Sequence, residues 1–127
     1  GQTSLLFATM PTVLPQVQAG KLRAIAVTGS ARSPAAPDLP SIAEAALPGF
    51  EVTNWIGIFA PAATPRDIVS KLNGETIRIM RAPEIQSRLL NEGAKSAAKT
   101  PEEFGAYVRA EIAKWAKVIQ QAGIRVD

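Results

Sequence analysis

The chain of 127 residues contains no cysteine and no histidine. Without thiols there is no disulfide, no thiolate metal ligand and no cysteine nucleophile. Without imidazole there is no histidine metal site and no histidine-based triad. An excess of one charge sign is also nearly lacking: 14 Lys and Arg stand against 11 Asp and Glu, a net charge of +3. A bias this small can draw small anions but does not indicate nucleic acid. No stretch approaches the ~20 apolar residues of a membrane-spanning helix. The nine glycines are dispersed and form neither G-x-G-x-x-G nor G-x-x-x-x-G-K-[ST], the loops that cradle phosphates. The seven aromatic residues sit mostly at core-periodic positions, not interleaved with basic ones as base-stacking platforms are. These absences lead to the expectation of a protein without cofactor, metal or nucleic-acid partner.

The rest is ordinary globular composition, 46% hydrophobic and 20% charged, and enough for one domain. Alternating and apolar runs predict strands over residues 3–8, 22–28, 52–60 and, weakly, 94–99. Val52–Ala60 is apolar on both faces and reads as a central, buried strand, with Gly57 marking a bend or a close approach. Helices are predicted where capping residues precede a 3.6-residue period. Thr9 with Pro11 opens one over about 11–19, and Gly20 ends it. Ser41-Ile42-Ala43-Glu44 fits a capping box for a short one. Thr64-Pro65-Arg66-Asp67 starts a third, running to about 81. Pro83 starts a fourth, stopped by Gly93, and Thr100-Pro101-Glu102-Glu103 starts the last, which Gly123 closes. The alternation argues for an α/β architecture with a largely parallel sheet and flanking helices.

Candidate chemistry is thin. Asp38, Glu44, Glu102 and Glu103 are the nearest acid pairs, and helix capping accounts for most of them. Lys71, Arg78, Arg81 and Arg88 read as a solvated helix face. Phe104, Val108, Ile112, Trp115 and Ile119 give the last helix an apolar stripe, which is either core or a docking face for a partner. Two strands run straight into helix starts, at Thr9-Met10-Pro11 and at Thr64-Pro65. Such corners present free N–H groups and a positive dipole end, and suit a carboxylate.

Several segments together carry a resemblance. They are Gly20-Lys21-Leu22-Arg23-Ala24-Ile25-Ala26-Val27-Thr28, Pro37-Asp38-Leu39-Pro40-Ser41-Ile42-Ala43-Glu44, Leu47-Pro48-Gly49-Phe50, Trp55-Ile56-Gly57-Ile58-Phe59-Ala60-Pro61, Thr100-Pro101-Glu102-Glu103-Phe104 and Lys114-Trp115. In order and spacing they resemble the solute receptors of tripartite tricarboxylate transporters, the Bug proteins. The resemblance implies a partial two-lobed periplasmic-binding-protein fold, covering the C-terminal portion of such a receptor. It implies residues 1–50 in the second lobe, 51–62 as the crossover strand, and 63–127 as helices on the first lobe. It further implies a periplasmic, non-enzymatic protein that captures a small carboxylate for membrane permease subunits. The cleft residues it indicates are Phe7, Ala8, Thr9, Trp55 and Gly57, with Ala8 standing where some relatives carry Asp. A chain with half a cleft is expected to bind solute weakly and to form a homo-oligomer or an element-swapped dimer. The competing expectation is an interaction module that docks a partner through its last helix.

Overall fold

The computed structural model describes residues 4–125. Thr3, the first residue of the expected strand over 3–8, lies outside them. Among the described residues the helices are α1 (Met10–Gln18), α2 (Ile42–Ala45), α3 (Arg66–Met80), α4 (Pro83–Asn91) and α5 (Pro101–Gln121). Each falls where its cap and period place it, because a helix satisfies its backbone within its own sequence.

The local chemistry of the helix ends varies. Thr100 makes a full capping box: its Oγ1 accepts from the Glu103 N–H at 3.2 Å, and its own N–H donates to Glu103 Oε2 at 2.8 Å. Ser41 makes half of one. Its Oγ accepts from the Glu44 N–H, but the Glu44 carboxylate turns to Arg32. α3 begins at Arg66, one residue later than expected, with the Val69 N–H on the Pro65 carbonyl. The positive φ of +73° at Gly93 ends α4, and there is no room for a side chain. A Cβ there would stand 2.7 Å from Cβ of Met10.

The strands are where expectation and structure part. No sheet forms among the described residues, only two isolated bridges, Val27 with Ser41 (parallel) and Ser33 with Ala36 (antiparallel). Strand propensity cannot supply a neighbour, and a strand's hydrogen bonds need one about 4.8 Å away. Residues 5–8 and 53–58 form no helix, turn or bridge with another described residue. The run over 94–99 is broken by Ala98, at φ +43°. Val52–Ala60, expected to be central and buried, is instead open: Ile56 is 96% exposed and Ile58 80%.

The chain consists of two compact units. The first runs to Phe59 and takes in Arg81–Ser96. It contains a small knot of backbone bonds. The Val27 N–H donates to the Pro40 carbonyl, Ile42 N–H to the Val27 carbonyl, and Val52 N–H to the Thr28 carbonyl. Ser41, at the centre, is 1% exposed and is the one fully buried residue described. The second unit holds Ala60–Met80 and the chain from Ala97 onward. There α3 and α5 lie against each other, and Asn73 Nδ2 donates to the Lys99 carbonyl at 3.1 Å. Phe104 and Val108 are half-buried, but the same stripe opens to solvent at Ile112 and Ile119.

No hydrophobic side chain described is fully buried. The accessible surface is 10337 Å², against roughly 6,500 Å² for a compact chain of this mass, or roughly 7,800 Å² if it is split into two separate bodies. The apolar residues that the periodicity assigns to a core are present, but little covers them.

Candidate functional site

The five candidate residues all belong to the first unit. Phe7, Ala8 and Thr9 lead consecutively into α1, and all three are exposed. Trp55 and Gly57 lie on the irregular run after Val52, with Gly57 half-buried. Neither of two shallow surface hollows is lined by any of the five. One, of about 200 Å³, lies just upstream, between Ser4, Leu5, Leu6 and Leu22. The other, of about 120 Å³, lies between α1 and the end of α4.

Thr9 is the N-cap residue of α1, as its position predicts, but its hydroxyl does not cap. The second helical residue is Pro11, which has no N–H to give, and the Thr12 N–H goes to the Thr9 carbonyl at 3.0 Å. The Thr9 hydroxyl pairs instead with the Thr12 hydroxyl at 2.9 Å. Val13 N–H also donates to the Thr9 carbonyl. Met10 therefore keeps the one first-turn N–H with no bond to another described residue. The sequence points to the free N–H groups of the Thr9-Met10-Pro11 corner, and the structure narrows them to Met10, because Pro11 removes one donor and the Thr12 N–H turns to the Thr9 carbonyl. The corner can offer an anion one backbone N–H, a pair of hydroxyls and the helix dipole.

Arg32 and Glu44, a charged pair of the first unit, serve structure. Arg32 clamps Glu44 with Nε to Oε2 at 2.9 Å and Nη2 to Oε1 at 2.6 Å, while Nη1 reaches the Pro37 carbonyl. These hydrogen bonds hold the Glu44 carboxyl below the usual carboxylate range. In α5 the Thr100 N–H does the same to Glu103. Among the described residues no cluster of acidic side chains is arranged to hold a metal ion, and no helix is long and apolar enough to cross a membrane.

Comparison with known proteins gives a consistent result. Residues 1–124 match the family model of the tripartite tricarboxylate transporter family receptor, TctC. The chain is 38% identical over 120 residues to the UPF0065 protein in the tcbD-tcbE intergenic region of a Pseudomonas species, covering 94% of this chain and 36% of that protein. A relative from Pseudomonas knackmussii is 32% identical, with 94% of this chain and 71% of that protein covered. Among solved structures, R. palustris Rpa4515 with adipate superposes with a TM-score of 0.82 at 37% identity, over 91% of this chain and 38% of that one. MatC from Rhodopseudomonas palustris, with bound malate, superposes at 0.73 and 36% identity, over 87% and 38%. The periplasmic binding protein BugD gives 0.80 at 35% identity, over 89% and 38%. The chain thus spans little more than a third of most of the proteins it matches, and it belongs to the TctC family of tripartite tricarboxylate transporter receptors.

Proposed function

We propose that the chain is the C-terminal portion of a periplasmic solute receptor that captures a small carboxylate and passes it to the membrane permease of a tripartite tricarboxylate transporter. The observation that carries this is the likeness, at TM-scores of 0.82 and 0.73, to proteins solved with adipate and with malate. No bond is made or broken: the work is capture, closure and release. Residues 1–50 belong to the second lobe, 51–62 cross between lobes, and 63–127 serve the first. The solute carboxylate sits at the start of α1. There the Met10 N–H and the Thr9 and Thr12 hydroxyls donate, Phe7 and Ala8 bound the site, and the crossover brings up Trp55 and Gly57. The other wall comes from the length of receptor that this chain does not span.

A chimera tests this reading. The chain replaces the matching segment of the R. palustris adipate protein, and binding of adipate and malate is followed by calorimetry. The expected result is dicarboxylate binding that weakens about tenfold when Thr9→Val removes a hydroxyl donor, the loss of one hydrogen bond to a charged group. A folded chimera that binds no dicarboxylate overturns the proposal. The competing role, a docking module, draws on the openness of Ile112 and Ile119 on α5. It predicts that Ile112→Lys abolishes partner capture and leaves dicarboxylate binding by the chimera unchanged.

A further inference from the structure

Two departures from ordinary chemistry fall on neighbouring residues. Ala98, at φ +43°, is the one described residue other than glycine in the left-handed region. There the Cβ crowds the following carbonyl, a cost that side chains larger than hydrogen ordinarily avoid. The Ser96 Oγ is buried and has no hydrogen-bond partner, the one such side-chain atom among the described residues. Buried hydroxyls ordinarily find a partner. Both anomalies sit where the chain leaves the first unit for the second, between Ser96 and Ala97. The chain also crosses after Phe59 and after Met80, and neither of those crossings has a positive φ.

What holds the strain lies on either side of it. Upstream, the Ala94 N–H donates to the Leu89 carbonyl at 2.8 Å and ties the segment to the end of α4. Downstream, the Lys99 carbonyl accepts from Asn73 Nδ2 at 3.1 Å, and Thr100 is fixed by its capping box with Glu103. Between these anchors Ser96, Ala97 and Ala98 make no backbone hydrogen bond to another described residue. Nothing local favours the left-handed state, so it persists because the ends are pinned. We infer that Ser96–Ala98 is a spring-loaded hinge with two backbone states, the strained one seen here and a relaxed one with Ala98 at negative φ. One rotation at Ala98 removes the crowding, and the same turn of the backbone carries the Ser96 hydroxyl to water, so both anomalies have a single remedy. A change of φ at one residue redirects all the chain that follows, which is how a few residues serve as a hinge. The inference concerns the backbone alone, goes beyond the solute reading and survives its failure.

Amide relaxation dispersion on the 127-residue chain reads exchange between such states on the microsecond-to-millisecond scale. The expected result is exchange at residues 96–99 that is absent from the middle of α5. Ala98→Gly frees the left-handed state of its strain and should lower the relaxed population about fivefold. Ala98→Val adds a β-branch at the crowded position and should raise that population by at least as much. Ser96→Ala removes the unpartnered hydroxyl and should lower it with Ala98 untouched. Positions 96 and 98 lie outside the helices, so these variants should keep their helical circular dichroism. Asn73→Ala cuts the downstream anchor, and in that background Ala98→Gly should matter less, because an unpinned segment stores less strain. No exchange at residues 96–99 in the Ala98→Val chain, equal exchange in the Gly and Val variants, or an effect of Ala98→Gly undiminished by Asn73→Ala overturns the inference.

Discussion

Ser41 joins several functions in one small side chain. It caps α2, its carbonyl accepts the Ala45 N–H, and it bridges to Val27. Ser41→Ala removes the capping oxygen while keeping the backbone, and should lower the stability of the first unit by about 1 kcal/mol, read from urea unfolding. The carboxylates of Glu44 and Glu103 act through pH. Hydrogen bonds from Arg32 hold the first below its ordinary value, and the Thr100 N–H holds the second. A depressed carboxyl binds fewer protons folded than unfolded, so its contribution is full above the unfolded value and fades as pH falls through the folded one. Stability should therefore decline on acidification below the ordinary carboxylate range. Arg32→Ala should raise the Glu44 titration midpoint toward its ordinary value, seen directly by carboxyl NMR. Both carboxylates are exposed, so the effect is modest.

At the scale of elements, helix ends are the most legible feature. Pro and Thr or Ser mark the starts, and Gly20, Gly93 and Gly123 mark the stops, all three with positive φ. Two of these glycines separate conformational cost from steric cost. At Gly20 nothing lies within 4 Å of a Cβ, whereas at Gly93 a Cβ meets Met10. Gly20→Ala should cost about 1 kcal/mol for the left-handed backbone alone. Gly93→Ala should cost clearly more, because the start of α1 must shift as well. Equal effects in thermal unfolding would remove the Met10 contact from the account. Capping is less predictable than position: Thr9 reads as a capping residue and stands at the cap, yet Pro11 sends its hydroxyl to Thr12.

For the whole molecule the decisive fact is the uncovered apolar surface. α5 shows it in one element: Phe104 and Val108 are half-buried, while Ile112 and Ile119 on the same stripe are exposed. If the solute site needs a second wall, the 127-residue chain alone should bind adipate and malate at least about a hundredfold more weakly than a receptor that encloses them, a loss of about 2.7 kcal/mol. Calorimetry decides this, and tight binding by the monomeric chain would sink the two-wall account.

The order and rough limits of the helices, the absence of thiol and imidazole chemistry, and the family resemblance were all readable in the linear chain. Each rests on local or additive properties: caps act within four residues, composition needs no fold, and the motifs recur in order. The pairing of the strands, the exposure of Val52–Ala60 and the partner of the Thr9 hydroxyl were not readable, because each depends on what stands opposite. Isoleucine at positions 56 and 58 states a preference for being covered, and only the arrangement of other atoms in space decides whether anything covers it.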